Sequence, residues 1–373
     1  MNGEHWLDKM IDLPFDQKIW VPWMRRSIQL ALLAEGRTSP NPLVGAVVLD
    51  ANGKLVGEGF HSGAGKAHAE IEALAQAKDK SIDGTIVVTL EPCCHHGLTP
   101  PCTEAILKSG LKRVVIGMVD PDPRVSGNGI SRLKDSGLEV IEGVLRKECE
   151  WINREFIFRI LNGRPWGILK WAMSLDGRIG LPNGCSKWIT SEYARENVHQ
   201  IRAKCDAVII GGGTLRADNP LLTSRGLSSF EPLRVVFSRS LDLPKTARLW
   251  DTKLAKTIIA YGPEGNEAFF DDLPDGPDKL PLILSEPSEL LSALGKRGCN
   301  KILWECGPLL ATRAIEMNCV QELVVFIAPK LLGGKSAMTP LNSFGFESIK
   351  SSYKLQHSFL DRKMEDLCWR LFF

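Results

Sequence analysis

Two short stretches, His68-Ala69-Glu70 and Glu91-Pro92-Cys93-Cys94-His95-His96-Gly97-Leu98-Thr99-Pro100-Pro101-Cys102, constrain this chain more than any other part of it. They bring together imidazole and thiol groups, which suit zinc, and a carboxylate two residues from one of them. Three protein ligands leave a fourth position for a water whose pKa falls toward neutrality, and Glu70 is then the candidate base. A His-x-Glu pair followed by Pro-Cys is the pattern of hydrolytic zinc deamination, in which the glutamate moves protons without binding metal.

The order of residues makes geometric sense. Residues 69–78 read as a helix with Ala69, Ile71, Leu74 and Ala75 on its inner side, which puts His68 and Glu70 at its N-terminal end. Residues 85–90, Thr-Ile-Val-Val-Thr-Leu, read as a buried strand delivering Pro92 and Cys93 to a second helix start at Pro101. Helix N-termini favour thiolate over thiol. Spacing alone allows two ligand sets: His68, Cys93 and His96, or His68, Cys93 and Cys102.

A length of 373 residues suits two domains of about 150 to 210 residues each. The formal net charge is only +2, which argues against nucleic acid or an anionic membrane as partner and for a small substrate. No apolar stretch is long enough to span a bilayer. The first residues carry Glu4, Asp8, Asp12 and Asp16, too acidic for a transit peptide and lacking the apolar core of a signal peptide. Ten cysteines without a secretory signal point to a reducing compartment, so a cytoplasmic protein is expected. A homo-oligomer is also expected.

In the first half, residues 24–35 read as an amphipathic helix. Residues 45–49 and 55–60 read as strands joined by an Asn52-Gly53 hairpin turn. Strand, helix and strand follow at 112–119, 130–137 and 138–141, giving a layered sheet with helices. Residues 144–161 read as one helix, stopped by Asn162-Gly163-Arg164-Pro165, which sets a boundary near 164. The expected organisation is an extension over 1–23, one domain over 24–164 and another over 165–373.

The second half alternates strands at 166–173, 206–211, 233–238, 257–261 and 301–304 with helices at about 191–204, capped by Ser191, and at 308–317. A loop is expected over 271–278, and a single closing strand at 367–373. Gly211-Gly212-Gly213-Thr214 follows one strand directly, where glycines let backbone approach a ligand. As a dinucleotide fingerprint it is weak, because Arg216 occupies the third glycine position. Glu305-Cys306-Gly307 stands at another strand-to-helix junction, the kind that lines crevices in open α/β sheets.

Asn41-Pro42-Leu43-Val44-Gly45, His68-Ala69-Glu70, the Thr99-Pro100-Pro101-Cys102 loop and Asp120-Pro121 resemble the deaminase half of the bifunctional deaminase/reductases of riboflavin biosynthesis. The resemblance continues through Lys170, Ser174-Leu175-Asp176-Gly177, Ser186 to Ser191, Gly212-Gly213-Thr214 and Ala217-Asp218-Asn219-Pro220, over roughly residues 25 to 335. It implies a cytidine-deaminase-like α/β/α sandwich followed by a dihydrofolate-reductase-like α/β domain. The implied zinc ligands are His68, Cys93 and Cys102, with Glu70 catalytic and Asn41, His61 and Asp120 contacting a pyrimidine ribosyl phosphate. In the second half it implies NADPH contacts at Ala172, Trp188, Thr214, Asp218 and Gly307. Substrate contacts are implied at Ser186, Arg202, Leu222, Arg225 and Glu305, with Lys170 nearby; Arg202 and Arg225 suit phosphate clamps.

The chain departs from the family pattern at Leu98 and Asn128, where basic residues are expected, at Asp122 in place of asparagine, and at Cys306 in place of glycine. Lys66 stands where an acidic residue is expected, and it is the candidate to replace part of the missing charge. The alternative reading is a reductase only, its zinc serving structure.

Overall fold

A computed structural model describes residues 15–96, 100–123, 125–273 and 276–373. Leu98 and Thr99 therefore lie outside the described residues. The chain divides into two compact units, Met1–Leu161 and Asn162–Phe373.

The first unit runs α1 (Phe15–Lys18), α2 (Val21–Leu32), β1 (Gly45–Leu49), β2 (Leu55–Phe60), α3 (Ala69–Ala77), β3 (Thr85–Leu90) and α4 (Cys102–Lys108). It continues with β4 (Arg113–Met118), α5 (Asn128–Asp135), β5 (Glu139–Glu142), α6 (Arg146–Ile152) and α7 (Arg154–Asn162). The sheet order is β2-β1-β3-β4-β5, antiparallel as far as β3 and parallel beyond it. Successive strand residues point to opposite faces. Ala46, Val48, Ile86 and Val88 pack with Ala73, Ile106 and Leu133 of α3 to α5, whereas Val47, Leu49 and Val87 pack with Met24 of α2 and Cys149 of α6. This is the expected three-layer sandwich.

Three local expectations need correction. The first long helix begins at Val21 rather than 24, and Trp20 is buried beneath it, so the expected extension over 1–23 ends inside packed structure. In α3 the buried residues are Ala69, Glu70, Ala73 and Ala77, and Ala75 is exposed. The helix is rotated because its alanines sit on Gly57 and Gly59 of β2, where a Cβ would collide with the Ala73 and Ala69 carbonyls, and because Glu70 turns inward. Residues 144–161 form two helices rather than one, interrupted at Asn153.

The second unit contains β6 (Trp166–Ser174), α8 (Glu192–Arg202), β7 (Ala207–Gly211), α9 (Gly212–Asp218), β8 (Leu233–Ser238), β9 (Thr257–Tyr261) and β10 (Asp278–Pro281). It closes with α10 (Pro287–Lys296), β11 (Lys301–Trp304), α11 (Pro308–Glu316), β12 (Glu322–Ala328), β13 (Gln356–Lys363) and β14 (Asp366–Phe372). Strand order is β10-β9-β8-β7-β11-β6-β12-β14-β13, parallel through β12 and antiparallel at the final hairpin. Apolar side chains on both faces make β7 to β9 and β11 nearly continuous hydrophobic runs, as a doubly covered parallel sheet requires. The tail holds two strands where one was expected. Because β7 and β11 are parallel neighbours, α9 and α11 both start at the same edge of the sheet.

Candidate active sites

In the first unit, β3 and two helix N-termini converge on one cluster. His68 is the extended N-cap of α3, and its ring makes no capping bond. Its Nδ1 lies 3.1 Å from Cys102 Sγ and 3.6 Å from Cys93 Sγ, and the Cys102 N–H donates to Cys93 Sγ at 3.3 Å. All three donor atoms lie within 4.8 Å of one another, the one such group of three among the described residues. Ligands at zinc bond lengths of about 2.0–2.3 Å in a tetrahedron sit roughly 3.5–3.8 Å apart, so the donor set fits that ion. His96 belongs elsewhere: its side chain is 74% exposed and faces Glu104 at 3.6 Å.

The thiols are unequal. Hydrogen bonds from Cys102 and His68 hold Cys93 down at about 4 against burial, whereas the bond to Cys93 and burial push Cys102 up. A dication stabilises both as thiolates. Glu70, in the first turn of α3, is 3% exposed, and burial followed by the Cys93 charge raises its carboxyl above the usual range. A buried carboxyl in the first turn of the helix that carries His68 is placed for proton transfer.

His61 is buried edge-on to His68, with ring centroids 5.5 Å apart. His61 Nδ1 lies 3.1 Å from the Ala67 carbonyl, an acceptor, so Nδ1 carries the proton; Nε2 then accepts from Asn41 Nδ2 at 3.0 Å. Asn41 and His61 thus form one hydrogen-bonded unit beside the metal cluster. Asp120, half-buried just beyond β4, accepts from the Asp122 N–H at 2.8 Å through Oδ1, and burial raises its carboxyl.

In the second unit, a cavity of about 1630 Å³ opens over the β7–α9 and β11–α11 junctions. All eleven residues expected to contact cofactor or substrate there line it: Lys170, Ala172, Ser186, Trp188, Arg202, Thr214, Asp218, Leu222, Arg225, Glu305 and Gly307. Glu305 is the hub. Arg202 donates to it from Nε at 2.5 Å and from Nη2 at 3.0 Å, and Lys170 Nζ lies 3.5 Å away. Although burial pushes Glu305 up, these two cations outweigh it and hold the carboxyl at about 2.

This corrects the expectation for Arg202, because the fork assigned to a phosphate is occupied by a carboxylate. Arg225 remains exposed at the cavity. It sits with Leu222 in the left-handed region, at φ 56° and 57°, on a loop tied down by Arg202 to the Thr223 carbonyl and by Glu231, which accepts from the Ser224 N–H and Oγ. Trp188 is 63% exposed with the Arg195 guanidinium 4.4 Å from its ring centroid, and Asp218 pairs with Lys187 at 3.0 Å. Cys306, where the pattern has glycine, is half-buried, its thiol pushed up to about 12 by burial.

Residues 21–118 match the family model of the cytidine and deoxycytidylate deaminase zinc-binding region, and residues 165–364 match the RibD C-terminal domain. Riboflavin biosynthesis protein RibD of Synechocystis sp. is 48% identical over 89% of this chain and 90% of its own length. The chain belongs to the RibD family. The Escherichia coli K12 RibD is 37% identical over 83% of this chain and 88% of its own length. Among solved structures, Acinetobacter baumannii RibD superposes with a TM-score of 0.87 at 34% identity, covering 95% of this chain and 99% of that one. A Thermotoga maritima deaminase/reductase gives 0.86 at 34% identity, covering 96% and 99%. The chain is accordingly a bifunctional riboflavin-biosynthesis enzyme, with a zinc-dependent deaminase domain and an NADPH-dependent reductase domain. A reductase whose zinc serves structure alone is the less supported reading.

Several residues that shape these RibD sites had no role assigned to them from the sequence. Asn153 is 1% exposed and grips Leu43, accepting its N–H at 2.8 Å and donating to its carbonyl at 2.9 Å, two residues from Asn41. Lys330 Nζ donates to the Ile189 and Trp188 carbonyls at 2.7 and 3.3 Å, and Asp366 accepts from the Ser191 N–H and Oγ at 2.8 and 2.6 Å. Together they hold the segment that carries Ser186 and Trp188. Glu91, at the end of β3, accepts four backbone N–H bonds. Only Glu91 carried a signal, as a carboxylate directly after an apolar strand.

Proposed function

We propose that His68, Cys93 and Cys102 hold the zinc, and that Glu70 is the proton carrier in hydrolysis of the 2-amino group of 2,5-diamino-6-(5-phosphoribosylamino)pyrimidin-4-one. The convergence of the three donor atoms within 4.8 Å, with buried Glu70 in the first turn of the adjoining helix, carries this reading. When bound, zinc supplies a water acidified toward neutrality and NADPH supplies hydride. Glu70 takes a proton from the attacking water and returns one to the departing amine, so that ammonia leaves neutral. Asn41 and His61 orient the pyrimidine beside the cluster, and Asp120 contacts it from the end of β4.

In the second cavity, Ala172, Trp188, Thr214, Asp218 and Gly307 hold NADPH against the ribosyl group of 5-amino-6-(5-phosphoribosylamino)uracil, whose C1′ is reduced to open the ribityl chain. Ser186, Leu222, Arg225 and the Lys170–Glu305–Arg202 cluster position that substrate, with Arg225 an exposed cation for its phosphate. The main contribution of the protein to this step is orientation. The deaminase domain takes in Trp20 and the helix that starts at Val21, and it runs to about 164; the reductase domain occupies 165–373.

Cytoplasmic residence is part of the proposal, supported by ten cysteines, none of which is paired in a disulfide among the described residues. So is a homo-oligomer, supported by Leu360 and Trp369, paired and exposed on the edge hairpin. Nucleic acid and membrane are not proposed as partners; no helix among the described residues is long and apolar enough to cross a membrane.

The test is ammonia release from the diaminopyrimidinone phosphate without NADPH, with and without a zinc chelator. Chelator-sensitive release is expected. Absence of release, with NADPH still oxidised on the deaminated substrate, would leave a reductase alone.

A further inference from the structure

Glu91 lies between the zinc cluster and the segment that carries Asp120. It is 3% exposed, two residues before Cys93. Its Oε2 accepts from the Asp120 N–H at 3.1 Å and the Gly127 N–H at 3.0 Å, and its Oε1 accepts from Gly129 at 2.9 Å and Ile130 at 3.2 Å. Asp120 follows β4, and Gly127 is the N-cap of α5, with no side chain to satisfy the first helical N–H groups. Glu91 supplies that cap from another strand. Gly129 permits the approach, since a Cβ there would collide with the Pro92 carbonyl.

We infer that Glu91 is a positioning residue for the deaminase reaction: it locks the backbone of Asp120 to the turn that presents Cys93, and so fixes the distance between substrate contact and metal. The inference rests on Asp120 contacting the substrate. The physical argument is one of alternatives. A connection from β4 to α5 has many conformations of similar energy, and a single carboxylate satisfying donors at both of its ends selects one of them. A neutral side chain does not offer two acceptor oxygens for four donors. Glutamine offers one acceptor oxygen and turns its amide N–H groups against two of the four donors, leaving buried N–H groups unsatisfied.

The experiment compares Glu91→Gln, Asp120→Asn and the double variant in the full chain. The deaminase kcat and KM are measured with zinc content, and reductase turnover serves as the folding control. Glu91→Gln is expected to raise the deaminase KM roughly tenfold with zinc and reductase turnover unchanged, as for loss of substrate alignment. Because Glu91 acts through Asp120, the double variant should be no worse than the poorer single one. An unchanged KM in Glu91→Gln, or effects that multiply in the double variant, overturns the inference while Asp120→Asn still raises KM. A harmless Asp120→Asn removes instead the reading on which it rests. If Glu91→Gln is recovered without zinc, Glu91→Asp keeps both acceptor oxygens on a side chain one methylene shorter. A raised KM with full zinc then supports the role, and an unchanged KM overturns it.

Discussion

Arg202 and Glu305 form a two-point ion pair inside the reductase cavity, although 103 residues separate them in sequence. Both side chains are nearly buried, at 12% and 10% exposure. Removing the cation leaves a buried charge with only Lys170 at 3.5 Å, so Arg202→Met should destabilise the second unit by about 3–5 kcal/mol. The pH dependence reverses with it. Glu305 is depressed to about 2, so its contribution is present above the usual carboxylate range and lost as pH falls toward 2. In the variant, burial dominates and raises the carboxyl, and that stability is lost as pH rises instead. Melting temperature measured between pH 4 and 8 decides: a variant that melts no lower at pH 8, relative to wild type, than at pH 4 contradicts the assignment.

Glu70→Gln separates catalysis from metal structure. The substitution keeps the shape of the buried side chain and removes its capacity to move protons. Ammonia release should fall by about 10²- to 10⁴-fold, the usual worth of a positioned acid–base group. Zinc content and NADPH oxidation on the deaminated substrate should stay at wild-type levels. Full ammonia release from Glu70→Gln would assign the proton transfer to another group.

The parts legible in sequence were those in which chemistry restricts residue type locally. Zinc is bound mostly by His and Cys, so His68, Cys93, His96 and Cys102 stood out as candidates, with spacing leaving the choice between the last two open, and β3, β7, β8 and β9 each carry a short apolar run. What escaped depends on partners distant in the chain. The inner face of α3 could not be read from apolar periodicity, because a carboxylate, Glu70, occupies one of its buried positions. Arg202 looked like a free phosphate clamp, since nothing near it in sequence announces Glu305. The single helix expected over 144–161 was locally consistent and was broken by a tertiary bond at Asn153. By contrast, β12 carries an apolar run, Leu323 to Ile327, that is legible as a strand although none was expected there.

Asn153 gives that break a measurable value. Its carboxamide satisfies both backbone groups of Leu43 in a buried setting, and alanine leaves each without its partner. A cost of about 1–3 kcal/mol for each unsatisfied group is expected. The Leu43 segment carries Asn41, which bonds His61 at 3.0 Å, so the loss should also raise the deaminase KM and leave the reductase alone. Chemical denaturation with both assays tests this, and an Asn153→Ala protein of unchanged stability would show the helix break to be set by something else.

Lys66 is the remaining candidate to offset the missing basic residues of the deaminase half. It is exposed in the segment between His61 and His68, where its own N–H closes a turn on the Gly63 carbonyl at 3.0 Å. That segment is anchored at both ends by site residues, so a cation on it stands near the entrance of an anionic substrate. An exposed charge is worth only about 1 kcal/mol because solvent screens it, and reversal of sign about doubles the change. Lys66→Glu should therefore raise the deaminase KM by up to roughly thirtyfold, with less effect at high salt and little change in kcat, while Lys66→Gln falls between. Reductase KM should not move, which separates a local charge effect from general damage. A deaminase KM unchanged by charge reversal at low salt would exclude Lys66 from substrate binding.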